Sequence, residues 1–208
     1  MAPETKRQPL FVLETRRLIL RPITGKDVDA VYRLYAEWDV AKTLSRLPFP
    51  FSIDAAQRFV GEAESAFAQR SAWVLGAMER PRSCFVGIVS LRIPGIDPGV
   101  PEAERAEAAG LGFLGYAVAR PHWGHGFATE AAARVIDFAF DDLRLNRLQA
   151  SVLRDNPPSR RVLERLGFSL AEAGIIEEPL YGGPPRLVDR YLLRPTDAPR
   201  ARDNRIDA

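Results

Sequence analysis

Short runs of apolar residues, some alternating with polar positions and some continuous, recur along the chain and predict strands. The two runs around "ERPRS" are close enough to form a β-hairpin across that turn. The segments that we expect to be strands are "RRLILRPI", "AWVLGAM", "CFVGIVSLRI", "LGFLGYAVA", "RLQASVL", "GFSLAEAGI" and "VDRYLLR".

Between these runs, apolar residues return every three or four positions, which is typical of amphipathic helices. Thr24 can cap a first helix with Asp27 in its first turn, and Ser52 can cap a second. A third helix follows Gly126, and a fourth begins after Asn156, with Pro157 at its first position. The positions expected to face the core are Val28, Val31, Tyr32 and Tyr35 in the first helix, Ala56, Phe59, Val60, Ala63 and Phe67 in the second, and Ala128, Ala132, Val135, Ala139 and Leu143 in the third.

This mixture of strands and helices predicts an α/β or α+β fold. The chain length of 208 residues suits one domain, which we assign to residues 1–194. The segment 94–110 is rich in Pro, Gly, Ala and Glu and is interpreted as a mobile surface loop. The tail from Pro195 is expected to be disordered.

Charge and cysteine content narrow the function classes. A net charge of +2, from 29 basic and 27 acidic residues, argues against nucleic-acid binding through bulk charge. Cys84 is the single cysteine, which excludes an internal disulfide and a cysteine-built zinc site, and we expect it to be buried and inert. No apolar run approaches the ~20 residues that span a bilayer, and the start of the sequence does not resemble a signal peptide, so we expect a cytoplasmic protein without membrane contact.

The strand "LGFLGYAVA" leads into "RPHWGHGFATEAAARVIDFAF", in which Gly124 and Gly126 stand immediately before the third helix. A helix N-terminus has unpaired N–H donors and a partial positive charge, and glycines allow an anion to approach them. Thr129 is a possible cap, but the amides before it stay open, whereas Glu130, Arg134, Asp137 and Asp141 are expected to be solvated. The stretch lacks the lysine of a P-loop and the third glycine of a dinucleotide fingerprint.

A second block, "SVLRDNPPSRRVLERLGF", combines a strand, an Asn-Pro-Pro break and a helix ending in "GF". Together with "LETRRLILRPITGKDVDAVYRLY" and "WGHGFATEA", it resembles the GNAT superfamily of N-acetyltransferases, in particular the RimJ/RimL-type branch that acetylates ribosomal-protein N-termini. The resemblance covers roughly residues 12–193. It departs from the superfamily signature at Trp123, where Gln or Arg is usual.

The resemblance implies a mixed, mostly antiparallel sheet flanked by helices, with its fourth and fifth strands splayed apart to hold acetyl-CoA. It implies that loop amides bind the diphosphate, that the fourth strand pairs with the pantetheine arm, and that an amide near Val118 polarises the thioester carbonyl. Asn156 would hold the arm and Ser159 would lie near the sulfur. The expected cofactor-binding residues are Tyr116, Ala117, Val118, Trp123, Gly124, His125, Gly126, Phe127, Ala128, Thr129, Asn156 and Ser159.

The sequence indicates the catalytic acid and the catalytic base less directly. Many superfamily members have a tyrosine where this chain has Leu163, so Ser159 is the candidate acid toward the leaving thiolate, with arm binding alone as the alternative. Glu172, with Glu177 and Glu178, is a candidate to receive a cationic amine or its proton, and a solvated surface carboxylate is the alternative for each. Since His122 and His125 are the only histidines, we expect no metal site.

An α-amine has a pKa of ~7.7–8.0 and a lysine ~10.4, so an α-amine demands far less of a base. This favours a protein or peptide N-terminus as acceptor. A polyamine, an antibiotic amine or an amino acid is the second hypothesis, and a non-catalytic acyl-CoA sensor is the third. Trp38, Arg46 and the "YGGPPR" turn at 181–186 are expected on the acceptor side. Either a monomer or a homodimer is compatible with the sequence.

Overall fold

The computed structural model describes residues 11–45, 47, 49–177 and 184–199. Its strands form one mixed sheet in the order β1-β2-β3-β4-β5-β6-β8-β7, and every neighbouring pair is antiparallel except β5 and β6. The predicted mixed, mostly antiparallel sheet is therefore confirmed. The strands are β1 (Leu13–Glu14), β2 (Leu18–Pro22), β3 (Ala72–Glu79), β4 (Cys84–Arg92), β5 (Leu111–Val118), β6 (Arg147–Leu153), β7 (Ser169–Glu177) and β8 (Arg186–Leu193).

The parallel pair β5 and β6 separates along its length. Leu111, Gly112 and Phe113 pair with residues 147–149, and the register ends there although both strands continue. The carboxyl-terminal half of β5 therefore lies apart from that of β6. These are the fourth and fifth strands of the predicted fold, because the short β1 precedes β2.

The described part of the chain contains six α-helices. They are α1 (Val28–Ala36), α2 (Trp38–Ala41), α3 (Ile53–Ala68), α4 (Glu102–Glu107), α5 (Phe127–Asp137) and α6 (Pro157–Arg165), and a π-helical turn, Phe138–Asp142, continues α5. Helices α1 and α3 lie on one face of the sheet and α5 and α6 on the other. One buried cluster contains α5 and α6 residues, and the other contains α1 and α3 residues. Val89 and Ile88 on β4 belong to different clusters, because successive strand residues point to opposite faces.

The helix starts follow the local chemistry that the sequence suggests. The Ser52 hydroxyl accepts a hydrogen bond from the Ala55 amide at 3.1 Å and caps α3. Asp27, in the short 3₁₀ turn before α1, receives hydrogen bonds from the Thr24 amide at 2.8 Å and from both terminal nitrogens of Arg21. Asp27 is almost fully buried, and its ion pair with Arg21 connects β2 to the turn that begins α1.

Three expectations about surface segments are wrong or incomplete. Cys84 is exposed, because it is the first residue of β4 and precedes the buried stretch. Segment 94–110 contains helix α4, since Ala, Glu and Arg are strong helix formers. The expected disordered tail is a turn over residues 195–199, where Ala198 packs against the core, and residues 200–208 lie outside the described part. None of the helices in the described ranges is long and apolar enough to cross a bilayer.

Candidate active site

A tight glycine turn joins β5 to α5. After the 3₁₀ turn Arg120–His122, Gly124 has φ of +79° and Gly126 has φ of +78°. Both values lie in the left-handed region that glycine adopts without a Cβ penalty. A Cβ built at Gly124 meets no atom within 4 Å, so the space above the turn is open.

The helix that follows this turn begins with unpaired backbone amides. Gly126 is the N-cap of α5, no side chain caps the helix, and the first backbone hydrogen bond runs from the Glu130 amide to the Gly126 carbonyl at 3.0 Å. Thr129 is the third helical residue, so the expectation that it caps the helix is wrong. Within the described ranges, the amides of residues 124–129 donate no hydrogen bond to the protein. This arrangement suits a bound anion such as a diphosphate.

Arg17, at the entry to β2, brings a positive charge to this cradle. Its Nη1 donates to the His125 carbonyl at 2.9 Å, and its guanidinium lies 4.6 Å from the centre of the Phe127 ring. Its Nη2 is 3.6 Å from the position that a Cβ at Gly126 would occupy. Arg17 could not be predicted as a site residue, because 113 residues separate it from its partner Glu130 and no local spacing connects them.

Glu130 is not the solvated residue that the helical pattern predicts. Its carboxylate receives hydrogen bonds from the Thr15 hydroxyl, the Arg17 amide and Arg17 Nε, at 2.6, 2.8 and 2.6 Å. Burial alone would raise the pKa of Glu130, but these hydrogen bonds and the Arg17 charge together hold it below its usual value. The first turn of α5 is thereby tied to the first strands of the sheet.

The alternation of β5 decides which of its backbone groups face the gap beside β6. The Ala119 amide donates to the Val86 carbonyl of the β4 side at 2.8 Å, and Ala117 pairs with Ile88 in the same register. Backbone groups alternate along an antiparallel pair, so Ala117 also bonds toward β4, whereas Tyr116 and Val118 face the gap. The expectation that Ala117 pairs with a ligand arm is therefore corrected, and Ala117 is a buried packing residue.

Trp123 stabilises the turn through its side chain. Its Nε1 donates to the Val118 carbonyl at 2.6 Å, and the Arg120 guanidinium lies 4.8 Å from its ring centre. The ring packs against the buried cluster of α1 and α3. Since Trp123 occupies the Val118 carbonyl, the amide of Val118 is the group of that residue left for a ligand in the gap.

The two histidines do not form a metal centre. His125 stacks on Phe127 with ring centres 6.0 Å apart, and His122 meets the same ring edge-on at 6.1 Å. No group of three or more His, Cys, Asp or Glu side chains in the described chain is arranged to hold a metal ion. Phe127 is buried between these rings, while its amide is at the helix start.

Residues of the Asn156 motif form a second wall of the gap. The Asn156 side-chain oxygen accepts from the Ser159 amide at 3.2 Å and caps α6, and its Nδ2 donates to the Thr43 carbonyl at 3.5 Å. The Tyr116 hydroxyl lies 2.9 Å from Ser159 Oγ and donates to the Ser159 carbonyl at 3.1 Å. The structure thus brings Ser159 to Tyr116 of β5 and places Asn156 at the start of the same helix.

The two candidate carboxylates lie in different places. Glu172 is exposed on the edge strand β7 and pairs in register with Arg190. Its carboxylate accepts a hydrogen bond from Arg190 Nη1 at 2.8 Å. Glu177 lies at the end of β7 and accepts a hydrogen bond from the Ser45 hydroxyl, close in sequence to the Thr43 that contacts Asn156. Glu172 therefore pairs with β8, whereas Glu177 contacts the segment 43–45 whose Thr43 carbonyl meets Asn156.

Of the other residues expected on the acceptor side, the structure describes Trp38 and residues 184–186 of the turn. Trp38 is 55% exposed and its ring centre lies 4.8 Å from that of Phe49, which forms an aromatic surface beside α2. Asp39 on α2 pairs with Arg120 at 3.3 Å and so connects this surface to the glycine turn. Arg46, Glu178 and residues 181–183 of the predicted turn lie outside the described residues.

Comparison with known proteins agrees with this geometry. The acetyltransferase (GNAT) domain family matches residues 17–169. An uncharacterized N-acetyltransferase, p20 of Bacillus licheniformis, is 30% identical over 183 residues, covering 87% of this chain and 93% of its own.

Two solved structures share the fold. A ribosomal-protein-S5-alanine acetyltransferase from Vibrio fischeri superposes with a TM-score of 0.70 at 16% identity, covering 91% of this chain and 99% of its own. RimL, a ribosomal L7/L12 α-N-protein acetyltransferase, superposes with a TM-score of 0.72 at 17% identity, covering 93% and 98%. The chain belongs to the GNAT family of N-acetyltransferases, and its acetyl donor is acetyl-CoA.

Proposed function

We propose that this enzyme acetylates the α-amine at the N-terminus of a protein or peptide. The observation that carries the proposal is the mouth of the gap, where the Glu177 carboxylate, bound by Ser45, stands beside the loop that contacts Asn156. A carboxylate at this position suits a cationic amine. Two structural neighbours, the ribosomal-protein-S5-alanine acetyltransferase and the ribosomal L7/L12 α-N-protein acetyltransferase, act on ribosomal proteins, which supports the same choice.

The chain's residues fit the acetyl donor. The open amides of residues 124–129 and the Arg17 guanidinium match a diphosphate, and the unpaired edge of β5 matches an extended arm with amide groups. Acetyl-CoA supplies an activated acetyl group: a C–N bond forms, the C–S bond breaks, the nitrogen gives its proton to a base that returns it to water, and the leaving thiolate takes up a proton from water to become the thiol.

Each polar group of the gap then has a task. The Val118 amide, which faces the gap, polarises the carbonyl that is attacked. The Ser159 hydroxyl donates to the sulfur side, in place of the tyrosine that Leu163 replaces. Glu177 orients the incoming amine and accepts its proton, a role that its position favours for Glu177 over Glu172.

The choice of an α-amine also follows from its acidity. With a pKa of ~7.7–8.0, roughly a tenth of an α-amine is neutral at pH 7, against less than a thousandth of a lysine with a pKa of ~10.4. A single carboxylate at the mouth is a weak base, and it suffices for an amine that is already partly neutral.

The test measures CoA-thiol release from acetyl-CoA with unblocked peptides, with the same peptides pre-acetylated at the α-amine, and with spermidine and amino antibiotics. We expect turnover with the unblocked peptides only. Turnover with a small amine and none with peptides would transfer the function to the second acceptor class.

A matched set of variants tests the carboxylate. Glu177→Gln keeps the size of the side chain, and we expect it to lower kcat/KM for the peptide about tenfold or more. Glu172→Gln tests the alternative carboxylate, and Glu62→Gln, exposed on α3, is the control. A loss confined to Glu172→Gln would reverse the assignment.

A further inference from the structure

The half-buried side chain of Tyr116 places its hydroxyl against the first turn of α6, a contact that the sequence pattern does not predict. The hydroxyl lies 2.9 Å from Ser159 Oγ and 3.1 Å from the Ser159 carbonyl oxygen. Tyr116 belongs to β5 and Ser159 to α6, so this contact spans the gap wall between the two elements.

The two hydroxyls carry one proton each, and the short contact between them can be a hydrogen bond in either direction. In one, Tyr116 donates to the Ser159 carbonyl and Ser159 Oγ donates to Tyr116, which directs the serine proton away from the gap. In the other, Tyr116 donates to Ser159 Oγ, and the serine proton is free for an acceptor in the gap. The direction of the hydrogen bond between the two hydroxyls therefore decides whether the Ser159 proton points to Tyr116 or is free for the gap.

We propose that Tyr116 is a positioning residue that orients the Ser159 hydroxyl toward the coenzyme sulfur. This inference rests on the proposed function insofar as Ser159 faces that sulfur. When negative charge develops on the sulfur, the second arrangement is favoured, and the chain of two hydrogen bonds from Tyr116 through Ser159 stabilises the charge better than Ser159 alone.

Tyr116 retains its own proton in this role. Burial, partly offset by the hydrogen bond to Ser159, raises the pKa of Tyr116 to about 12. The phenol stays neutral over the whole working range, so it acts as a hydrogen-bond donor and no tyrosinate is formed. Leu163, at the position of the usual tyrosine, cannot supply a donor, and Tyr116 supplies one from another element of the fold.

The test titrates the thiol of CoA bound to the purified protein by following the ultraviolet absorbance of the thiolate, in the absence of any amine. The variants are Tyr116→Phe, Ser159→Ala and the double variant, with Tyr35→Phe as a control for removal of a buried tyrosine hydroxyl on the opposite face of the sheet. Ser159→Thr retains a hydroxyl and serves as the rescue.

We expect Ser159→Ala and Tyr116→Phe each to raise the pKa of the bound thiol by roughly half a unit to one unit. Tyr116→Phe should add nothing in the Ser159→Ala background, Ser159→Thr should keep the lower pKa, and Tyr35→Phe should not change it. In turnover, Tyr116→Phe should lower kcat several-fold with the KM for acetyl-CoA unchanged.

The proposal is overturned if Tyr116→Phe leaves the thiol pKa unchanged. It is also overturned if Tyr116→Phe shifts the thiol pKa equally in the wild-type and Ser159→Ala backgrounds. It is equally overturned by an unchanged thiol pKa in Ser159→Ala, since Tyr116 is argued to act through Ser159. Because the titration contains no amine, it is independent of which acceptor the enzyme uses, and an error in the proposed function does not alter its outcome.

Discussion

Gly126 combines two properties of the cradle, a left-handed backbone and an amide open to a ligand. A Cβ at this position would be 3.6 Å from Arg17 Nη2, an ordinary contact, so the cost of a side chain is conformational. The methyl group would also narrow the approach to the neighbouring amides.

Gly126→Ala is therefore expected to lower the free energy of unfolding by about 1–2 kcal/mol and to weaken acetyl-CoA binding about tenfold. The control is Gly61→Ala in α3, where a Cβ meets nothing within 4 Å and the residue is helical. That change should stabilise the protein by about 0.5–1 kcal/mol and leave binding unchanged. Chemical denaturation and calorimetric binding measure both, and equal binding by the two variants would contradict the cradle.

Arg17 places its guanidinium beside the cradle. Arg17→Met removes a charge-assisted contact beside the cradle, and we expect the Kd for acetyl-CoA to rise roughly tenfold or more. Arg16→Met changes the adjacent, exposed arginine and should leave the Kd unchanged. If the Kd for Arg17→Met stays at the wild-type value at low salt, Arg17 does not bind the coenzyme and only stabilises the turn through Glu130 and the His125 carbonyl.

At the scale of single elements, two helices begin with a capping side chain that the sequence predicts. Ser52 caps α3 and Asn156 caps α6, and each accepts from the amide three residues later. The two caps differ in surroundings, because Asn156 also donates to Thr43 and adjoins Ser159.

We expect Ser52→Ala and Asn156→Ala each to cost about 1 kcal/mol of stability. Only Asn156→Ala should also lower kcat/KM, since the start of α6 positions Ser159 in the gap. Thermal unfolding and steady-state kinetics of the two variants separate these effects. Full activity in Asn156→Ala would show that the cap is structural alone.

The elements themselves follow from local patterns. Each predicted strand and each of the four predicted helices is present, because side-chain periodicity and capping are encoded within a few residues. Helix α4 was not predicted, since its exposed Glu and Ala positions have no apolar stripe and resemble a loop. The burial of Glu130 was not predicted either, because helical periodicity alone places it on the polar face.

At the scale of the whole molecule, the Arg21–Asp27 pair couples the sheet to α1 and makes stability depend on pH. Burial raises the pKa of Asp27, but the hydrogen bonds from Arg21 and Thr24 and the Arg21 charge outweigh it and leave the pKa below the ordinary value of 3.8. A lowered folded-state pKa contributes stability above the unfolded value, and this contribution is lost as the pH falls through the folded value.

Asp27→Asn should therefore lower the free energy of unfolding by about 1–3 kcal/mol at pH 7. The difference from the wild type should shrink as the pH falls below about 4, where the carboxyl of the wild type becomes protonated. Asp29→Asn, on the partly exposed side of α1, is the control. Urea denaturation from pH 7 to acid measures both, and a difference that stays constant with pH would contradict the assigned pKa direction.

The strands, the helices, the glycine turn and the Asn-Pro-Pro helix start could be predicted from local sequence, because each depends on neighbours a few residues away. The sequence also determined the GNAT family, since its motifs keep their spacing along the chain. It could not determine which β5 groups face the gap, because strand alternation says that two faces exist and not which neighbour each one meets.

Only the tertiary structure decided the contacts between distant residues. Arg17 meets the cradle across 108 residues, Tyr116 meets Ser159 across 43, and Ser45 meets Glu177 across 132. No local periodicity encodes such pairs, since they depend on how the sheet orders its strands and packs its helices. For that reason the cradle could be predicted from the sequence, whereas the contacts of Arg17 with the cradle and of Tyr116 with Ser159 became visible only in the fold.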